Sequence, residues 1–130
     1  MQIREEYEQL ALMAMDRYSD LWPLREHPCR IAFLGSDKEK KSRGMLVKGE
    51  CVKFAKKYAW LGDFDFMIIV YEPNCVGMDD DQMLTLIRHE LNHIGVEVQE
   101  DGTAKYSIRQ HDIQDFRCIV DERGLDWARV

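Results

Sequence analysis

The sequence predicts an α+β fold in which about three helices pack on a small, mainly antiparallel sheet. Three observations support this prediction. Apolar residues recur at helical spacing in three separate segments, short runs rich in β-branched and aromatic residues lie between the first two, and glycine-containing turns bound these runs. A chain of 130 residues is long enough for one hydrophobic core and too short for two, so residues 1–130 are expected to form one domain.

The first half of the chain supplies one helix and the main strands. Residues 3–18 repeat apolar side chains at helical spacing and predict the first helix. Residues 30–34 form a short apolar run and residues 45–54 alternate partly, so each predicts a strand. Residues 64–71 are rich in β-branched and aromatic side chains and predict the clearest strand of the chain.

Residues 79–95 predict the second helix, with their own start and stop signals. Asp79 can act as N-cap, and Gln82, three residues on, completes a capping box. Gly95 is the position at which a left-handed conformation would end the helix. A broad apolar stripe runs along this helix, formed by Met83, Leu84, Leu86, Ile87, Leu91 and Ile94.

Two further elements complete the predicted fold. Residues 96–109 predict a hairpin around Asp101-Gly102, a pair that favours tight turns. A last helical pattern begins near His111 and ends at Gly124. Two of the three predicted helices therefore carry histidines, and these histidines direct attention to a possible metal site.

The second helix contains His89-Glu90-Leu91-Asn92-His93, an H-E-x-x-H motif. Residues four apart on a helix are separated by about 40° of rotation and about 6 Å of rise, so both imidazoles emerge on one face, near enough to share a metal ion. Glu90 lies roughly a third of a turn from His89, within reach of a water on that ion. Two metal ligands and a general base are the arrangement of zinc peptidases with this motif.

A catalytic zinc site of this kind needs a third protein ligand. The metzincin extension of the motif is absent, because Gln99 occupies the position where that class has its third histidine. The best candidate is His111 at the start of the last helix, since a neutral imidazole suits zinc. Asp112 or Asp115 would then orient an imidazole through its other nitrogen, and an aspartate as the third ligand stays a live alternative.

The order of these motifs resembles the phage metallopeptidases, small zincin-like proteins of bacteriophages and prophages. The resemblance rests on H-E-L-x-H at residues 89–93, followed after a short β segment by H-D-x-x-D-F at residues 111–116. It extends back through the strand at residues 64–70 and forward to residues 123–127. The layout is also remotely similar to SprT-like metalloproteases. The resemblance implies a zincin-like domain with zinc-dependent peptidase activity, and it supports His111 over Asp112 as the third ligand.

The composition indicates which compartment and which partners are compatible with the sequence. No apolar run reaches the roughly 18 residues of a membrane span, and the charged N-terminus is unlike a signal peptide, so a cytoplasmic protein is expected. Four scattered cysteines, none in a C-x-x-C pair, predict reduced thiols. A net charge of −6 argues against a nucleic-acid partner, and the basic run at residues 38–43 is expected to be a solvated loop.

The sequence thus predicts hydrolysis of a protein or peptide, with Glu90 as general base beside a zinc held by His89, His93 and His111. Tyr71, Tyr106 and Arg109 are candidates for a further donor to the transition state. Zincins generally bind an extended substrate along an edge strand, which residues 64–71 or the hairpin would supply here. The alternatives are another zinc hydrolase and a non-catalytic protein-binding domain on the same scaffold.

Overall fold

The computed structural model describes residues 1–109, so the predicted last helix, with His111, Asp112 and Asp115, lies outside the described residues. The helices of the described part are α1 (Glu5–Arg17), α2 (Trp22–Glu26) and α3 (Asp80–Leu91). The strands are β1 (Gln2–Ile3), β2 (Ile31–Ser36), β3 (Lys41–Ser42), β4 (Met45–Leu46), β5 (Gly49–Lys53), β6 (Phe66–Tyr71), β7 (Ile94–Val98) and β8 (Ala104–Ile108). The α+β class is therefore confirmed.

A four-stranded sheet in the order β1-β2-β6-β5 forms the centre of the fold. All six residues of β6 are buried, as expected of an interior strand with apolar layers on both faces. β1 pairs antiparallel with β2, and β5 pairs antiparallel with β6, whereas β2 and β6 run parallel with Ile31 opposite Phe66. The sheet is thus antiparallel at its margins, as predicted, with one parallel pair in the middle.

The side chains of the sheet alternate between two apolar layers, as the period of two along a strand requires. On one face, Phe66, Ile68 and Val70 of β6 pack in a cluster with buried residues of α1 and α3. On the other face, Met67, Ile69 and Tyr71 pack with side chains from the connection between β5 and β6, namely Phe54, Tyr58, Leu61 and Phe64. The two helices therefore cover one face of the sheet, and this connection packs on the other.

Residues 45–54 do not form the single strand that the sequence predicts. Met45 and Leu46 pair backward with Ser42 and Lys41 in a hairpin, and β5 begins only at Gly49. The turn of this hairpin is Arg43-Gly44, with φ of 54° and 77°, and two consecutive residues at positive φ are typical of a tight hairpin turn. The prediction is wrong because partial alternation does not reveal which neighbour a strand pairs with.

α3 begins where the sequence predicts and ends earlier. The side chain of Asp79 accepts a hydrogen bond from the Gln82 backbone N–H at 2.8 Å, and Gln82 accepts one from the Asp79 N–H at 3.0 Å, so the capping box is confirmed. The helix ends at Leu91, where Asn92 satisfies a terminal carbonyl by donating from Nδ2 to the oxygen of Arg88 at 3.0 Å. Gly95 does not terminate the helix; it lies in β7.

β7 and β8 form the predicted hairpin around Asp101-Gly102, with Ile94 opposite Ile108 and Val98 opposite Ala104. Gly102 has a φ of 86°, and Asp101 accepts a hydrogen bond from the Thr103 N–H at 3.0 Å, which together close the turn. Gly95 leaves room for the side chain of its partner Ser107, since a Cβ there would lie 3.0 Å from Oγ of Ser107. No helix within residues 1–109 has the length and apolar character of a membrane span.

Candidate metal centre

His89, Glu90 and His93 come together at the C-terminal end of α3. His89 and Glu90 belong to the last turn of the helix, and His93 lies in the turn that follows it. One possible ligand atom from each of the three lies within 4.8 Å of the others, and no comparable group of His, Cys, Asp or Glu occurs elsewhere in residues 1–109. The structure therefore brings together the three residues of the motif, with the two rings edge to face and their centroids 5.2 Å apart.

The Glu90 carboxylate lies between the two imidazoles. Its Oε2 is 3.9 Å from Nε2 of His89, and its Oε1 is 4.0 Å from Nε2 of His93. The Glu90 side chain is 4% exposed, whereas the histidine side chains are 12% and 17% exposed. Both Nε2 atoms thus face the same partly open space as a buried carboxylate.

The donor set and its spacing fit a zinc ion. Zinc binds imidazole nitrogen at about 2.1 Å, so two nitrogens on one ion lie at most about 4.2 Å apart. The candidate ligand atoms lie within 4.8 Å of one another, which is close to that spacing. Neutral imidazoles are preferred zinc ligands, and a neighbouring carboxylate is chemically suited to accept a proton from water.

The β7–β8 hairpin fixes the orientation of the His93 ring. Nδ1 of His93 lies 2.8 Å from the backbone oxygen of Arg109, directly after β8. Because a carbonyl oxygen only accepts, Nδ1 carries the proton and donates it, so Nε2 is the deprotonated ring nitrogen. A backbone partner on the second ring nitrogen is the usual way in which proteins orient a metal-binding histidine.

A second network holds the end of α3 in place from outside the motif. Asp20, in the 3-10 turn Ser19–Leu21, accepts hydrogen bonds from Arg88 at 2.6 and 3.2 Å and from Nδ2 of Asn92 at 2.9 Å. The Arg88 guanidinium also lies 3.9 Å from the centroid of the Tyr18 ring. Burial alone would raise the pKa of Asp20, but the hydrogen bonds from Arg88 and Asn92 outweigh it and lower the pKa. The carboxylate therefore stays ionised and anchors Arg88, which directly precedes the motif, and Asn92, which lies within it.

Replacing Asp20 with Asn is expected to lower the free energy of unfolding by about 3 kcal/mol at neutral pH, because the buried Arg88 loses its counter-charge. Because the pKa of Asp20 is lowered in the folded state, its contribution to the free energy of unfolding is complete at pH values above the ordinary carboxyl pKa. This contribution is lost as the pH falls through the folded-state pKa. Urea denaturation at neutral and acidic pH measures both effects. The exposed Asp16→Asn variant is the matched control; equal stability of the two variants at neutral pH would contradict this role.

Gly49 of β5 lies against the Glu90 side chain on the helix side of the sheet. A Cβ at Gly49 would lie 3.1 Å from Oε2 of Glu90 and 3.3 Å from a methyl carbon of Leu86, closer than ordinary van der Waals contacts. β5 is the edge strand of the sheet, and within residues 1–109 only β6 hydrogen-bonds to it as a strand. The edge strand therefore packs directly on the buried carboxylate, and a larger residue at position 49 would require Glu90 or Leu86 to shift by a few tenths of an ångström.

The other residues singled out in the sequence have different positions. The Tyr71 hydroxyl donates to Glu50 at 2.7 Å, and the Tyr106 hydroxyl donates to the backbone oxygen of His27 at 3.0 Å, so neither is directed at the histidines. His111, Asp112 and Asp115 lie outside the described residues. Cys29, Cys51 and Cys75 are free thiols, as expected, and burial raises the pKa of Cys29 and Cys75 to about 11.

Sequence reasoning missed Asp20 and Gly49. Asp20 is 68 residues from Arg88, so no local spacing connects the two, and Gly49 gives no signal of its own in a strand.

Comparison with known proteins identifies a family for this chain. A family model described as putative phage metallopeptidase matches residues 1–130. No curated protein and no solved structure matches the chain.

Proposed function

The chain belongs to the family of putative phage metallopeptidases, and from that premise we propose that it is a zinc-dependent peptidase encoded by a phage or prophage. The family implies a metal ion and a protein or peptide substrate. The observation that carries the zinc assignment is the shared space between Nε2 of His89, Nε2 of His93 and the Glu90 carboxylate. Free thiols at the described cysteines support a reducing, cytoplasmic compartment.

We assign His89 and His93 as two zinc ligands and His111 as the third. Chain connectivity supports His111: the backbone oxygen of Arg109 is 2.8 Å from the His93 ring. His111 is two residues after Arg109 in the sequence, and two residues span at most about 7 Å. We propose that Asp112 or Asp115 orients an imidazole through a hydrogen bond, or that one of them is the third ligand in place of His111.

Glu90 is the general base of the proposed reaction. When bound, the zinc supplies Lewis-acid chemistry: it acidifies water and stabilises negative charge on a carbonyl oxygen. A carboxylate oxygen of Glu90 accepts the proton that water loses as its oxygen attacks the peptide carbonyl carbon. The same carboxyl group then donates that proton to the nitrogen of the departing amine. The burial of Glu90 under Gly49 holds the carboxylate in position for both transfers.

β5 is the strand that we propose to hold the substrate backbone. The sequence-based candidate at residues 64–71 is wrong, because β6 has partners on both sides and offers no free edge. The outer side of β5 has no backbone hydrogen bonds within the described part of the chain. An extended peptide that pairs with this side lies next to Gly49 and therefore next to Glu90.

The Gly49→Ala variant is expected to hydrolyse peptides about tenfold more slowly, because displacement of a catalytic group by a fraction of an ångström weakens its alignment. The added methyl group meets Glu90 and Leu86 and neither histidine, so metal content is expected to stay unchanged. Steady-state hydrolysis and metal analysis of the same preparation measure the two properties. An unchanged rate would show that this contact does not position Glu90.

The proposed function is tested with the purified full-length chain and a denatured protein such as casein. We expect about one zinc per chain, hydrolysis that stops on treatment with a chelator, and recovery on addition of zinc. Metal-free protein that cleaves at the same rate would contradict a zinc peptidase. Stoichiometric zinc without hydrolysis of any protein or peptide would favour the non-catalytic binding domain instead.

A further inference from the structure

The positive charge of the chain is concentrated in one segment beside the edge strand. Residues 38–57 carry eight Lys or Arg and two Asp or Glu, a net charge of +6 in a chain whose net charge is −6. This segment contains the β3–β4 hairpin, all of β5 and the start of the 3-10 turn Lys56–Leu61. Basic residues therefore flank both ends of the strand that we propose to hold the substrate.

Several of these residues surround a cavity of about 500 Å³ on the sheet face opposite α3. Its floor is partly apolar, with Val52, Met67 and Ile69, and its walls include Lys38, Lys53 and Lys57. The basic run at residues 38–43 is exposed apart from the half-buried Lys40, as the sequence predicts, and Lys38 lines this cavity together with lysines distant in the chain.

The charges in this cavity are unbalanced. Its one carboxylate, Glu50, is already paired with Lys40 at 2.7 Å and accepts a hydrogen bond from Tyr71 at 2.7 Å. No acidic group within residues 1–109 lies in salt-bridge distance of Lys38, Lys53 or Lys57. The lining of the cavity therefore contains three lysines and one carboxylate.

The geometry of β5 connects this cavity to the metal centre. Gly49 contacts Glu90 on the helix side of the sheet, whereas the next residue, Glu50, lines the cavity on the other side. Side chains of a peptide paired with β5 alternate in the same way, so every second one is directed towards the cavity side. An anionic side chain at these positions would meet the unpaired lysines.

We infer that the peptidase selects substrates with acidic side chains, which bind along β5 and place a carboxylate over the cavity between Lys38, Lys53 and Lys57. This inference rests on the proposed function and names its substrate class. A peptide fits better than a nucleic acid, because the free strand edge offers backbone hydrogen bonds and the chain as a whole is acidic.

The test uses zinc-loaded protein and a peptide library derived from a bacterial proteome, with cleavage sites identified by mass spectrometry. We expect enrichment of Asp and Glu near the cleaved bonds. The Lys38→Gln, Lys53→Gln, Lys57→Gln triple variant is expected to cleave acidic peptides about tenfold more slowly and neutral ones at an unchanged rate, because three partly exposed charge pairs are lost. The acidic preference should also weaken as salt rises from about 0.05 M to about 0.5 M.

The matched control is the Lys41→Gln, Lys56→Gln, Lys105→Gln triple variant, which changes the net charge equally at exposed positions outside the cavity. Equal losses in the two triple variants, or no acidic preference in the wild-type protein, would overturn the inference. Thermal melting confirms that both variants fold.

Binding of an oligoglutamate peptide to the Glu90→Gln variant, followed by fluorescence anisotropy, separates this inference from the proposed function. If the wild-type protein cleaves nothing, the peptidase proposal fails, and the acidic-peptide site stands only if binding occurs and is lost on substitution of the three cavity lysines. If single-stranded DNA bound at these lysines more tightly than oligoglutamate, the ligand of the cavity would be a nucleic acid and the inference would be overturned.

Discussion

The Glu90→Gln variant is expected to lose peptide hydrolysis by a factor of about 10² to 10⁴, which is the usual contribution of a positioned general base. The amide has nearly the same shape as the carboxylate but cannot accept the proton that water loses. Because Glu90 is not one of the assigned ligands, the variant is expected to bind zinc in the same amount as the wild-type protein. Turnover numbers and metal content of one preparation measure both properties.

The matched control for Glu90 is Glu97→Gln, the same chemical change at an exposed position on β7. This control is expected to keep the wild-type rate. A Glu90→Gln variant with the full hydrolytic rate would remove the general-base role, and a variant that had lost its zinc would show instead that Glu90 holds the metal.

Replacing His89 or His93 with Ala is expected to weaken zinc binding by more than about 100-fold. Loss of a residue that only hydrogen-bonds to a metal ligand, an outer partner, typically weakens binding by about 10- to 100-fold. Each substitution removes one of the two nitrogens that face the shared space beside Glu90. Hydrolysis is lost with the metal, because no ion then remains to acidify water. Competition with a zinc-sensitive dye gives the affinities.

The control for these two variants is His27→Ala, since His27 lies in the bend after α2, away from the cluster. It is expected to leave zinc affinity unchanged. A His89→Ala or His93→Ala variant with wild-type affinity would exclude that residue from the ligand set.

The third ligand is identified by the same measurement at residues 111, 112 and 115. If His111 is the ligand, His111→Ala matches the loss seen at His89 and His93, while Asp112→Ala and Asp115→Ala weaken binding only about 10- to 100-fold, as outer partners do. The reverse order, with the largest loss at an aspartate, would transfer the assignment from His111 to that residue.

Local sequence patterns predict the element that carries the cluster. The capping box at Asp79 and Gln82 sets the start of α3, and the spacing of the motif then determines which side chains share a face. The hairpin at Asp101-Gly102 follows from turn chemistry, and its end at Arg109 orients the His93 ring. These features depend on residues a few positions apart, which a sequence shows directly.

Contacts between distant segments could not be predicted in this way. Strand pairing decides that β6 is interior and β5 is the edge, although residues 64–71 show the stronger strand pattern. Asp20 is hydrogen-bonded to Arg88, 68 residues away, and to Asn92. These hydrogen bonds lie at the end of α3, whereas Gly95, the predicted end, lies beyond it. Gly49 matters only because the sheet places it against Glu90.

The most direct measurement is a crystal structure of the zinc-loaded full-length protein, with the metal located by anomalous diffraction at the zinc absorption edge. The account predicts one zinc bonded to Nε2 of His89, Nε2 of His93 and a third side chain from residues 111–115. A fourth position should be open to water beside Glu90. Zinc bound elsewhere, or closed in by four protein ligands, would contradict a catalytic metal centre on α3.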